Sequence, residues 1–143
     1  DIQYLLPLTG LEGLALWETA LTDEALTYIK KLHNLTWLDI GHTKITDEGL
    51  RQLCELSSLE ELILLNNQIT DRGIAYLARM PQLKRIDLMN TLVTDEVVGS
   101  LQSLKNLEYV RIFATQISED GYEQLKKSLP NCEFRYFSSN DFS

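Results

Sequence analysis

Apolar residues recur along this chain in a pattern that changes period twice within every 24 positions. The stretch Leu59 to Met80 shows it most plainly: L-x-x-L-x-L-x-x-N, then I-T-D-x-G, then I-x-x-L-x-x-M. Aligned on the opening leucine, the units begin at Leu11, Leu35, Leu59, Leu83 and Leu107. The fourth position reads Leu14, Leu38, Leu62, Ile86, Val110, and the sixth reads Leu16, Ile40, Leu64, Leu88, Ile112. The eleventh reads Leu21, Ile45, Ile69, Val93, Ile117, and an acidic turn from Thr22-Asp23 to Ser118-Glu119 follows it. Positions three to eight alternate, which predicts a strand. After the turn the spacing becomes helical, as in Leu26, Ile29, Leu32 and Leu50, Leu53, Leu56. Thr or Ser at the turn predicts a helix N-cap, and the acids after it suit the positive end of a helix dipole. Each unit is therefore expected to be a strand, a turn, a helix and a return. Repetition at a fixed period of this length predicts a stacked, quasi-one-dimensional fold.

The run L-x-x-L-x-L-x-x-[N/T]-x-[I/L/V]-[T/S]-[D/E] resembles the leucine-rich-repeat family over essentially the whole chain. The form with T-D-x-G, at Thr46–Gly49 and Thr70–Gly73, resembles repeats common in bacterial proteins and those of the ribonuclease inhibitors. It is also similar to an F-box-associated subclass, which carries Cys where this chain has Thr19, Thr43, Asn67, Thr91 and Thr115. The resemblance implies an α/β class: a right-handed solenoid arc, a parallel sheet on its concave face and helices on its convex face. Residues at the ninth position, Asn67 or threonine, are expected to hydrogen-bond the backbone where the chain leaves the strand.

The chain is expected to be a single domain. Residues 1–10 read as a partial N-terminal repeat, 11–128 as five repeats, and 129–143 as a closing strand and tail. Ile2, Leu5 and Leu8 fall 24 positions before Leu26, Ile29 and Leu32, so the start reads as the helical half of an earlier unit, with Pro7 keeping it short or irregular. Further chain is expected to precede Asp1; a start codon or signal-cleavage site just upstream would contradict this. At the other end, Leu129-Pro130-Asn131-Cys132 is similar to the endings of many bacterial arrays of this kind. It leads into Glu133–Phe137, a candidate sixth strand, and then a polar tail expected to fray, with Phe142 as a possible docking residue.

Composition narrows the partners. The formal net charge is -8, which disfavours nucleic acid and anionic lipid. No apolar run approaches the roughly 20 residues of a membrane span. Cys54 and Cys132 are four strand steps apart, roughly 19 Å, too far for a disulfide. The compartment reads as cytoplasmic or bacterial extracytoplasmic.

Positions three, five, seven and eight are expected to face the concave side. The seventh column, Trp17, Gly41, Leu65, Met89 and Phe113, is unusually apolar for a wet surface, and Leu65 stands out in the central unit. With Trp37, Ile63 and Tyr109 it composes a candidate interface. Glu61 with Arg85, and Asp87 with Arg111, are expected to pair across neighbouring strands. Asp39 is left without a partner in its column, near Trp37 and His42. The candidate partner-binding residues are therefore Trp17, Trp37, Asp39, His42, Ile63, Leu65, Met89, Tyr109, Arg111 and Phe113.

No phosphate-binding glycine loop and no nucleophile–base arrangement is present. His33 and His42 are isolated, so neither a metal site nor a cofactor is expected. The recurrent Gly49, Gly73 and Gly121 read as close packing between units. The leading expectation is a non-catalytic scaffold that binds a protein or peptide. A second is an architectural or oligomerising segment of a larger bacterial protein, since such arrays often lie beside kinase, haem or membrane domains; the uncapped N-terminal flank would then self-associate. A third is a small glycoside hydrolase using Asp39 and Asp87 as paired carboxylates about 10 Å apart.

Overall fold

A computed structural model describes residues 2–5 and 7–136. The expected readings of the tail, including Phe137 and Phe142, lie outside the described residues. Strands and helices alternate: β1 (Gly13–Ala15), α1 (Asp23–Ile29), β2 (Trp37–Asp39), α2 (Asp47–Leu53), β3 (Glu61–Ile63), α3 (Asp71–Leu77), β4 (Arg85–Asp87), α4 (Val97–Leu101), β5 (Tyr109–Arg111), α5 (Glu119–Ser128) and β6 (Glu133–Arg135). A 3-10 turn at Ile2–Leu5 precedes them. The six strands form one parallel sheet in chain order, and every residue lies opposite the residue 24 positions later: Gly13, Trp37, Glu61, Arg85, Tyr109 and Glu133 form one row. The architecture is the expected α/β solenoid.

The core is a stack of equivalent apolar positions. Leu38, Leu62 and Val110 at the centres of strands are fully buried, as are Ile40, Leu64, Leu88 and Ile112 just beyond them. Leu26, Leu50, Leu53, Ile74, Leu77, Leu101 and Leu125 close the stack from the helices. Each such side chain contributes about 1.5–3 kcal/mol relative to exposure. At the N-terminal flank the same columns are only half-buried at Leu11, Leu16 and Leu21. Leu8 is 49% exposed, unlike its counterpart Leu32 at 1%.

The strands are shorter than the alternation predicts. Regular pairing stops at the fifth position, although the N–H groups of the sixth and eighth positions still donate across to the next unit, as Ile40 does to Ile63 and His42 to Leu65. The eighth residue of every unit is left-handed: φ is 55° at Glu18, 50° at His42, 56° at Asn66, 52° at Asn90 and 54° at Ala114. The chain turns out of the sheet there. Asparagine tolerates this conformation better than Glu or Ala does. At the ninth position only Asn67 bridges units: its Oδ1 accepts from Thr43 N–H and Oγ1, and its Nδ2 donates to Ile40 C=O. The threonines instead bond the carbonyl three residues back, as Thr91 does to Leu88.

The expected helix cap forms at Thr70, whose hydroxyl accepts from Arg72 N–H, and at Ser118, whose hydroxyl accepts from Gly121 N–H; the acidic turn also makes bonds between units. The carboxylate of Asp23 accepts both the backbone N–H (2.8 Å) and the hydroxyl (2.6 Å) of Thr46 in the next unit. Asp47 does this for Thr70, Asp71 for Thr94, and Asp95 for Ser118. The hydroxyl of Thr46 is turned toward Asp23 and makes no cap bond to its own helix. The recurrent glycines follow from this clamp. A Cβ at Gly49, Gly73 or Gly121 would run into the carboxylate of Asp23, Asp47 or Asp95. In the fourth unit Val97 occupies that position, and α4 starts at Val97, two residues later in its unit than α2 and α3 do in theirs.

Both cysteines are free and half-buried. Burial pushes the Cys132 thiol up to about 11. It also raises that of Cys54, whose Sγ donates to Tyr76 C=O.

Removing one clamp leaves a backbone N–H and a hydroxyl without their acceptor. Asp47→Ala is expected to destabilise the chain by about 1–3 kcal/mol in urea unfolding. Gly73→Ala is expected to be costly alone but cheaper in the Asp47→Ala background, where its clash partner is gone. Additive effects in this double-mutant cycle would contradict the clamp.

Candidate functional site

Side chains of the third, fifth and seventh positions project from the open face of the sheet, and alternation places them together there. All ten expected residues lie on this face or its rim. Trp17 is the most exposed of the apolar ones, at 49%. Trp37, Ile63, Leu65, Met89, Tyr109 and Phe113 are half-buried.

Leu65 is less prominent than the sequence suggests. It lies down over Gly41, with its Cγ 3.1 Å from where a Cβ on that glycine would sit. Trp37 does the same over Gly13, its Cε3 being 3.2 Å from the corresponding point. Glycines one strand earlier thus make room for large side chains, and half of their apolar surface is covered by the sheet itself.

The charged residues are organised across strands. Arg85 reaches Glu61 at 3.5 Å. Arg111 meets Asp87 at 2.8 Å and places its other terminal nitrogen 3.5 Å from Met89 Sδ. Asp87 is buried, and its second oxygen accepts from Met89 N–H at 2.9 Å. Burial pushes the Asp87 carboxyl above its ordinary value; the Met89 N–H and Arg111 oppose this, and the charge of Asp39 adds to it. Asp39 is not wholly without a partner, since its Oδ1 accepts from Gly41 N–H at 2.9 Å. Among the described residues no lysine or arginine pairs with it.

The eighth position contributes a chain of side-chain contacts that the sequence reading missed. The Trp17 ring stands edge-on to His42 with centroids 5.4 Å apart. His42 Nε2 is bonded to Asn66 Nδ2, and Asn66 Oδ1 accepts from Asn90 Nδ2. Two asparagines at the same position of successive units, a favoured type for a left-handed turn, were the available signal.

A shallow depression of about 150 Å³ lies between Glu61, Ile63, Asp87, Tyr109 and Arg111. Both oxygens of Asp87 are occupied by Met89 N–H and Arg111. Among the described residues, no group of three or more His, Cys, Asp or Glu side chains is placed to hold a metal. No helix among them is long and apolar enough to cross a membrane.

A family model for a leucine-rich repeat matches two adjacent units, residues 31–54 and 55–78. Among solved structures, an internalin (inlF) from Listeria monocytogenes superposes with a TM-score of 0.77 and 26% identity, covering 97% of this chain. The fold is that of a leucine-rich-repeat solenoid. Internalin C2 from Listeria monocytogenes is similar as well, with a TM-score of 0.74, 26% identity and 96% of this chain covered. So is a leucine-rich-repeat protein of Leptospira interrogans, at 0.67, 27% and 93%. The neighbours point to a bacterial type of repeat. The chain spans 38%, 56% and 33% of these three proteins in the order given. A search by sequence among curated proteins finds no match. Leucine-rich repeats commonly mediate contacts between proteins, and the exposed side of their sheet is here lined by Trp, Leu, Met and Phe.

A raised carboxyl is favoured in its protonated form by the folded state, so Asp87 opposes folding increasingly as pH rises from the ordinary carboxylate value of about 3.9. Asp87→Asn keeps an acceptor for Met89 N–H and cannot titrate. The stability of wild type minus that of Asp87→Asn is expected to fall as pH rises through this window. A difference that grows with pH in denaturant titrations would contradict the assignment.

Proposed function

We propose that this chain is a non-catalytic scaffold whose concave sheet face binds a protein or peptide. The observation that carries the reading is the apolar column of the seventh position. Trp17, Leu65, Met89 and Phe113 follow one another across the sheet, broken only by Gly41, and none is fully buried. Trp37, Ile63 and Tyr109 extend the patch sideways. Aromatic residues and methionine of this kind supply most of the energy at interface centres. The Glu61–Arg85 and Asp87–Arg111 pairs are satisfied within the sheet, so they orient a partner with little desolvation still to be met. The surface is open and the depression between Glu61 and Arg111 is shallow, which suits an extended macromolecular partner better than a small substrate.

A second reading rests on the N-terminal flank. A cavity of about 320 Å³ is lined by Ile2, Gln3, Ala20, Leu21, Thr22, Glu24, Ala25 and Tyr28. Such a flank suits an architectural or self-associating segment. Sedimentation of wild type and Leu16→Asp distinguishes it: a concentration-dependent dimer lost in the variant supports this reading, and a monomer in both excludes it.

For the leading reading, Trp17→Ser with Met89→Ser is expected to weaken partner capture from an extract of the source organism at least about tenfold. Arg79→Glu on the helical face is expected to leave capture unchanged. Retention by the sheet variant, with the fold intact by circular dichroism, would sink the proposal.

A further inference from the structure

Four acids of this solenoid are answered by a base 24 residues later, in the next unit: Glu48 pairs with Arg72, Glu60 with Lys84, Glu61 with Arg85 and Asp87 with Arg111. Asp39, at the same repeat position as Asp87, is not answered in this way. The position that would hold its arginine, as Arg111 does for Asp87, is Ile63. Asp39 uses Oδ1 for Gly41 N–H, and among the described residues Oδ2 has no partner. Ala15 and Ile63 lie opposite it on the neighbouring strands, and Leu65 lies over Gly41 beside its carboxylate. Trp37 precedes it by two residues on β2, and Trp17 stands against His42 in the column beyond.

The spacing suits a cation. Trp37 and Asp39 are two residues apart on one strand, about 6.8 Å, and Trp17 lies on the diagonal, roughly 8 Å away. An arginine side chain bonded to Asp39 spans such distances with its apolar stem, and indole faces attract cations within about 6 Å. The nearby exposed acids, Glu12 and Glu18, have no basic partner among the described residues either.

We infer that Trp17, Asp39 and Trp37 form the subsite for a lysine or arginine side chain of the bound protein segment, the partner supplying the cation that Ile63 does not. This rests on the concave-face reading and names the chemistry of its occupant. The guanidinium would donate to Asp39 Oδ2 and lie against an indole face. No cation of the chain is displaced, because among the described residues Asp39 has no ion pair to break.

The probe is N-acetyl-arginine methylamide, titrated against the full chain while the two indole N–H resonances are followed by NMR, with N-acetyl-citrulline methylamide as the neutral control. Saturable shifts at Trp17 and Trp37 with arginine, at least about tenfold weaker with citrulline, are expected. Asp39→Asn, which keeps the acceptor for Gly41 N–H, should abolish them. So should Ile63→Arg, which places an internal cation beside Asp39. Absence of shifts in the wild type, equal shifts with citrulline, or persistence in Asp39→Asn would overturn the subsite. The two readings fail separately: partner capture that is lost in Trp17→Ser/Met89→Ser but kept in Asp39→Asn leaves the concave face standing and removes the cation.

Discussion

Each unit of this chain is held to the next by a carboxylate that accepts two hydrogen bonds from the following turn. The Asp23–Thr46, Asp47–Thr70, Asp71–Thr94 and Asp95–Ser118 clamps repeat the same donor pair at nearly the same distances. A bond of this kind fixes spacing more sharply than apolar burial does, because hydrogen bonds are directional and hydrophobic contact is not. The leucine stack supplies the driving force, and the clamps fix the step. Glycine after the clamp follows from the same constraint, since the carboxylate fills the space a side chain would need.

A fixed step makes the sheet face a lattice. Every concave position has a neighbour of the same kind one strand away, so interactions read across units and not along the chain. Acid–base pairs, glycines beneath large side chains, and the His42–Asn66–Asn90 series all follow that direction. The proposed binding face stands out where a column departs from its neighbours. The apolar seventh position departs from what a wet sheet requires, and among the described residues Asp39 lacks the arginine that Asp87 has.

Most of the fold was legible in the sequence because burial and period are local signals. The leucines, the 24-residue step and the strand–helix alternation are all visible as spacing. The roles of Thr46 and Asp23 were not, because a threonine before a helix has the same appearance whether it caps its own helix or bonds an acid 23 residues earlier. The left-handed turn at the eighth position was hidden by Glu18 and Ala114, types that seldom adopt it. At the site, the alternation placed the ten expected residues on one face or its rim. It overstated the exposure of Leu65, since nothing in the spacing says that Leu65 leans over Gly41. It also left Asp39 without a contact, because the Gly41 N–H that meets it is backbone and is the same in every sequence.

The central claim is that the sheet face, not the helical face, meets the partner. A photo-crosslinking amino acid placed at Leu65, and in a second sample at Arg79 on the helical side, tests it most directly in an extract of the source organism. A discrete adduct from position 65 and none from position 79 is the predicted result. An adduct from position 79 alone would contradict the account.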